Sequence, residues 1–245
     1  MRLASLLVVP AVVFAAAPAF ADAAGDKLLA SMDAALNRAK TQVIEYDVVN
    51  QEPGKPEKKL IIHVKLKGEK RLSEFHAPAD MKGTKVLILS PTQMYVYLPA
   101  FGKVRRIASH VTDQGFMGLT FSQTDLSTMT YAPNYTATVA SETPTHVKLV
   151  ATPKAGGAAP YPKLEFTVQK DISLPTEIKN FNDRGTHLKT ESRTAYTCEG
   201  NVCTPSEHKM VDHVKGGHFT KLIRKGWKVN TEISDDVFSK RNLEK

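Results

Sequence analysis

The chain has 245 residues, 42% hydrophobic, 24% charged and 7% aromatic, with 33 Lys+Arg against 25 Asp+Glu and a formal charge of +8. That apolar share excludes general disorder, and 14 Gly, 14 Pro and 2 Cys exclude a collagen-like chain or a disulfide-dense miniprotein. The length suits one large domain or two small ones.

The first segment sets the compartment. Arg2, an apolar run from Leu6 to Ala17 and the ending Pro18-Ala19-Phe20-Ala21 are the three parts of a secretory signal peptide. The run is interrupted by Pro10 and is short for a bilayer span. Cleavage is expected after Ala21, and with no cysteine beside that point a lipid-anchored amino terminus is not. Residues 1–21 are read as the export signal and 22–245 as one soluble, extracytoplasmic domain.

Asp26–Lys40 places Leu28, Leu29, Met32, Ala35, Leu36 and Ala39 on one stripe, which predicts an amphipathic helix. The period then changes to two. Ile44, Tyr46 and Val48 alternate with Glu45 and Asp47, and after a turn at Pro53-Gly54-Lys55-Pro56 so do Leu60, Ile62, Val64 and Leu66 with His63, Lys65 and Lys67. Further strands are predicted over Arg71–His76, Lys85–Leu89, Met94–Leu98, Lys103–Ile107, Tyr135–Ser141 and His146–Ala151. A second set opens with Leu164, Phe166 and Val168 and continues through Pro175–Phe181, Leu188–Thr197, Thr204–Val214 and His218–Lys228.

Turn sequences such as Asn182-Asp183-Arg184-Gly185 and Lys215-Gly216-Gly217 join these runs, and connections this short force antiparallel neighbours. The reading is mainly β: an antiparallel meander of about eleven strands with one amino-terminal helix, which must curl or close. Alternation makes one face apolar and the other wet. A fifteen-residue helix is roughly 22 Å long and covers only part of that apolar face. The remainder must meet another segment or a ligand, so the concave side is a candidate container for an apolar molecule.

Cys198 and Cys203 flank the turn Glu199-Gly200-Asn201-Val202 between two β-rich runs. In an exported chain this spacing predicts a structural disulfide at a hairpin end, and it fits neither a redox pair nor a usual zinc knuckle.

Between Ala108 and Pro133 the alternation fails, yet Phe116, Met117, Leu119, Phe121, Leu126 and Met129 lie there. Ser122-x-x-Asp125 has the spacing to cap a short helix from Gln123 to Met129. Such a segment is a fixed plug, a movable lid or a partner-docking element.

A set of motifs carries a family resemblance. Pro78-Ala79-Asp80-Met81-Lys82-Gly83-Thr84 leads into Tyr95-Val96-Tyr97-Leu98-Pro99 and Lys103-Val104-Arg105-Arg106-Ile107. Phe116-Met117-Gly118, Phe121-Ser122 and Asp125-Leu126 follow, and the chain ends on Asp236-Val237-Phe238-Ser239-Lys240-Arg241-Asn242-Leu243-Glu244. In this order they resemble the outer-membrane lipoprotein-sorting protein (LolA-like) family, in the branch that accompanies RND-type exporters. The resemblance implies an eleven-stranded half-barrel with a helical lid and an acyl-chain cavity. It also implies a periplasmic, non-catalytic carrier of lipid or lipoprotein acyl chains in a branch that works with an RND-type inner-membrane transporter; transient membrane contact and no cofactor are expected. Where that branch usually has Ser-Asp after the glycine and Tyr-Glu before Asp-Leu, this chain has Leu119-Thr120 and Gln123-Thr124.

The cavity candidates are Ile44, Tyr46, Val48, Leu60, Ile62, Val64, Leu66, Val86, Ile88, Met94, Val96, Leu98, Leu164, Phe166 and Val168. Phe116, Met117, Leu119, Phe121 and Leu126 are the lid candidates. Lys103, Arg105 and Arg106 are read as a solvated outer face or as docking groups for an anionic headgroup or membrane surface. Export makes nucleic acid an improbable partner for the positive charge. No nucleophile elbow, zinc-protease motif or phosphate loop occurs, and neither a metal site nor catalytic residues are expected. A hairpin at Gly216-Gly217 could bring His213 beside His218, without a third ligand. The alternative to a carrier is a periplasmic regulatory or interaction module on the same scaffold.

Overall fold

The computed structural model describes residues 22–107 and 115–245, with Phe116 described by its backbone alone. The predicted export signal, residues 1–21, lies outside the described residues.

Helix α1 spans Ala23–Leu36, earlier at both ends than the sequence predicted. Asp22 starts it by accepting the Ala24 amide at 3.0 Å. Asn37 ends it, its amide and its Nδ2 both donating to the Asp33 carbonyl. Strands β1 (Thr41–Gln51), β2 (Lys58–Lys67), β3 (Lys70–Ala77), β4 (Lys85–Ser90), β5 (Gln93–Leu98) and β6 (Lys103–Arg106) follow. After a crossing segment that holds α2 (Gln123–Ser127) come β7 (Tyr135–Glu142), β8 (His146–Pro153), β9 (Lys163–Gln169) and β10 (Leu174–Phe181). The chain continues through β11 (His187–Glu199), β12 (Val202–Asp212) and β13 (His218–Val229), and ends in a 3-10 turn at Asp235–Phe238 and α3 (Lys240–Leu243).

All thirteen strands join one antiparallel sheet in the order β6-β5-β4-β3-β2-β1-β13-β12-β11-β10-β9-β8-β7. The predicted runs each became a strand, so the count of about eleven is two short. Long pairing of β1 with β13 joins the two meanders, from Gln42↔Val229 to Gln51↔Phe219. The sheet is open, with β6 and β7 as its edges. It also curls: Val86 of β4 and Arg193 of β11 line one cavity although they lie six strand spacings apart, roughly 29 Å in a flat sheet.

Three apolar clusters follow from this shape. The first fills the concave side of β1–β5 with Ile44, Tyr46, Val48, Leu60, Ile62, Phe75 and Met94, and packs against Leu119 from the crossing segment. The second lies under α1, where Leu29 and Met32 meet Ala137, Leu149, Leu164, Phe166 and Ile178. The third lies on the convex side, where Ile233, Phe238 and Leu243 cover Leu72 and Leu87. The convex face over β3–β5 is therefore not wet, as simple alternation predicted. The burial of Val86, Leu87 and Ile88 in succession shows β4 covered on both sides.

Helix α1 also solves the edge problem of β7. An edge strand exposes unpaired amides, which invite pairing with another chain. Here Asp26 accepts the Ala137 amide at 2.7 Å and Asp22 accepts the Val139 amide at 3.2 Å. Asp33, one further step along the same helix face, accepts the amides of Tyr131 and Ala132. The approach is close: a Cβ on Gly25 would sit 2.2 Å from the Ala137 carbonyl oxygen.

Candidate functional site

The described part of the crossing segment, from Met117 to Met129, lies over the concave face of the sheet. Ser122 caps α2, its Oγ accepting the Asp125 amide at 3.1 Å while Asp125 Oδ2 accepts the Ser122 amide at 2.8 Å. The predicted helix thus forms with its capping box, but it stops at Ser127, two residues short of Met129.

From Gly118 to Met129 the segment is tied to the rest of the protein. Asn50 donates to the Gly118 carbonyl (3.1 Å), and Thr120 donates its amide to Thr220 Oγ1 (2.9 Å) and its hydroxyl to the Met210 carbonyl (3.2 Å). Asp125 accepts from Lys189 Nζ at 2.7 Å and from the Tyr161 hydroxyl at 2.6 Å. Asn37 then donates to the Met129 carbonyl at 2.7 Å.

Beneath this cover is a cavity of about 240 Å³. Ile44, Tyr46, Ile62, Val64, Leu66, Val86 and Ile88 form the strand side, and Leu119, Phe121 and Leu126 form the cover. Several candidates of the same alternation phase do not reach it. Leu60 and Met94 are buried in the first cluster and Val96 packs against that cluster, filled core rather than cavity wall. Leu98 ends β5 beside Lys103 at the sheet edge. Leu164 and Phe166 are covered by α1 and by Tyr131, whose ring meets Phe166 edge-on at 4.9 Å. Met117 packs against the first cluster, and the side chain of Phe116 lies outside the described residues. A second depression of about 280 Å³ is rimmed by a mixture of polar and apolar side chains, among them Glu69, Ser90, Asn134, Pro91, Met129 and Pro160.

Hydropathy alone missed the charged wall of the cavity. Arg71, Glu191, Arg193 and His208 all line it. On β11 the inward positions are Lys189, Glu191 and Arg193, in register with Asp212, Met210 and His208 of β12. Ala195 takes a positive φ of 51° and drops out of the ladder, although the register is unchanged on either side of it, with Thr194 opposite Glu207 and Tyr196 opposite Pro205. At this break in the extended backbone Tyr196 rather than Ala195 lines the cavity.

Glu191 Oε1 accepts from Arg193 Nε at 2.7 Å and from His208 Nδ1 at 3.3 Å. Burial alone would raise the Glu191 carboxyl, but the Arg193 charge and the hydrogen bonds from His208 and Arg193 hold it well below the usual carboxylate range. Burial lowers His208, which is therefore neutral at pH 7, with Nδ1 donating to Glu191 and Nε2 left as an acceptor. Burial also pushes the Tyr46 phenol up to about 12.

The remaining predicted groups lie elsewhere. Cys198 and Cys203 face each other across β11 and β12 in a disulfide that closes the hairpin. Lys103, Arg105 and Arg106 are exposed on edge strand β6, with the Arg105 guanidinium 5.1 Å above the Phe101 ring. His213 lies against His187 rather than His218, and His218 is buried on Asn50 Oδ1. Among the described residues no group of three or more His, Cys, Asp or Glu could hold a metal ion, and no helix is long and apolar enough to cross a membrane.

A family model described as "-like: Uncharacterized protein" matches residues 67–245. The chain belongs to that family. No curated protein matches the sequence. Among solved structures the chain is similar to a putative outer membrane lipoprotein-sorting protein domain from Vibrio parahaemolyticus, at 21% identity and TM-score 0.80, over 91% of this chain and 99% of that one. It is also similar to a DUF1329 family protein from Desulfovibrio piger, at 23% identity and TM-score 0.82, over 90% and 98% of the two chains. A LolA superfamily protein from Nitrosomonas europaea aligns at 16% identity and TM-score 0.71, over 89% and 98%. The fold is LolA-like.

Proposed function

We propose that this protein is a periplasmic carrier that binds one lipid or lipoprotein acyl chain in the concave cavity and moves it across the envelope. The observation that carries this reading is the cavity itself, with aliphatic strand residues on one side and Leu119, Phe121 and Leu126 on the other. A resident chain would gain roughly 0.8 kcal/mol for each methylene it buries, so a modest length gives useful affinity without any covalent chemistry. The lipoprotein-sorting description of a neighbour that shares the fold supports the same reading.

In this account residues 1–21 direct export and are removed, and the mature domain spans 22–245. An RND-type inner-membrane transporter is the proposed source or acceptor of the chain. Phe101, 59% exposed beside Arg105, with Lys103 and Arg106 on the same edge, is the proposed point of transient contact with an anionic membrane surface. The second reading is an interaction module, favoured by the hydrogen bonds that tie the cover down, donated by Asn50, Lys189 and Asn37 and accepted by Thr220.

Native mass spectrometry of the mature protein isolated from the periplasm tests the carrier reading. The expected result is a population heavier than the bare chain by the mass of one lipid, which solvent extraction releases. A bare mass alone, with no lipid in the extract, contradicts it and leaves the interaction module.

A further inference from the structure

Of the cations on and just behind the cavity wall, one has no carboxylate partner among the described residues. Lys189 is paired with Asp125, and Arg193 with Glu191. Arg71 has no ion-pair partner among the described residues. Its one hydrogen-bond contact there is Nη2 to the Met129 sulfur at 3.6 Å, and its Nε is buried without a partner. Met129 is a weak acceptor, and a guanidinium offers five donors in a planar fork.

Arg71 is held in this position by the sheet. It stands on β3 opposite Leu66 of β2 and Ile88 of β4, and in the alternation Arg71, Ser73 and Phe75 it points to the cavity that all three line. Leu72, between them, packs on the convex side. Its neighbours Leu66 and Ile88 are aliphatic and its Nε is shut off from water, so an unpaired charge here is costly and a paired one is strongly held. His208 Nε2, also on the wall and also buried without a partner, offers an acceptor for a hydroxyl in the same cavity.

We propose that the cavity is a site for a single-chain anionic amphiphile whose carboxylate or phosphate headgroup enters the cavity and pairs with Arg71, while its alkyl chain lies along Ile62, Val64 and Val86. Two features of the site select this class. The single uncompensated cation matches one compact anion. The volume of about 240 Å³ is below the roughly 300–1,000 Å³ of pockets for drug-sized ligands, which suits one chain rather than several. The inference rests on the carrier reading and sharpens it, because it makes the polar end of the cargo a recognition element rather than a group left in solvent.

The test is calorimetric titration of the mature protein with palmitate, hexadecyl phosphate and hexadecanol, using wild type, Arg71→Met and Arg71→Lys. The wild type is expected to bind at least one of the two anions tenfold or more tightly than the alcohol, and the tighter anion identifies the source of the charge. Arg71→Met is expected to abolish that preference while retaining hexadecanol binding, and Arg71→Lys to restore part of it. Equal affinity of the wild type for all three chains overturns the headgroup site but leaves the carrier reading standing. No binding of any chain overturns both. A thermal melt supplies a second readout that needs no ligand: removing an unpaired, half-buried cation should leave Arg71→Met at least as stable as wild type. A large loss of stability would mean that Arg71 already has a strong partner, against the proposal.

Discussion

Replacing Glu191 by glutamine removes the single carboxylate that Arg193 and His208 share. The side chains of Glu191 and Arg193 are only 11% and 14% exposed, so little solvent is present to replace the lost charge. Breaking a buried pair by removing one partner costs about 3–5 kcal/mol, because the other charge is left uncompensated. For a domain of this size each kcal/mol shifts Tm by about 2–4 °C, giving an expected drop of roughly 6–20 °C at pH 7.5, read by circular dichroism. The pH profile gives an independent check. A carboxylate whose folded pKa is depressed contributes stability that is fully present above its unfolded value, near 4.3, and lost as pH falls towards the folded one. Wild type should therefore lose up to about 1.4 kcal/mol per pH unit from this group below that value, and Glu191→Gln should lack that component. The double variant Glu191→Leu/Arg193→Met, which removes both charges, should recover most of the lost stability. A Glu191→Gln protein that melts within a degree or two of wild type would refute the buried-pair argument.

Three other outcomes follow from separate parts of the fold. Gly25→Ala should destabilise by about 1–3 kcal/mol or more through overpacking, because the new Cβ meets the Ala137 carbonyl at 2.2 Å and the β7 backbone must move; chemical denaturation measures it, and a neutral result would mean that α1 does not seal β7. Cys198→Ser/Cys203→Ser should lower stability by about 2 kcal/mol, the loop-closure value for so short a ring, with the fold intact by circular dichroism; complete unfolding would contradict that estimate. Tyr46, with its folded pKa raised to about 12, contributes stability that is full below its unfolded value near 10 and is lost as pH rises through 12. Ultraviolet titration of wild type against Tyr46→Phe should show one phenol ionising late, and a difference spectrum with an ordinary value would contradict its burial.

The alternation of Ile44, Tyr46 and Val48, and of Leu60 to Leu66, made the sheet legible because the apolar and polar faces of those strands differ. It also placed Ile62, Val64, Val86 and Ile88 on the concave side. It could not separate cavity wall from filled core, since Leu164 and Phe166 share the same phase and are covered only by the tertiary position of α1. Strand β11 was opaque for a different reason. Lys189, Glu191 and Arg193 alternate with Thr190 and Ser192, so both faces are polar and hydropathy assigns neither to the interior. The signal present there was charge of alternating sign at every second residue, which becomes informative once its inward register is known. The C-terminal cover was signalled by Leu72, Leu87 and Leu89, apolar residues out of phase with their inward neighbours. The role of Asp22, Asp26 and Asp33 as acceptors for β7 and the crossing segment depended on knowing which strand would be the edge.

The central claim is that an alkyl chain enters the space between the strands and the crossing segment. Photolabelling with a diazirine-bearing hexadecyl chain, followed by peptide mapping, asks this directly. The account predicts label on peptides containing Ile62–Val64, Val86–Ile88 and Leu119–Leu126, with competition by unlabelled chain. Label confined to the exposed edge around Phe101, or absence of competable label, would contradict it.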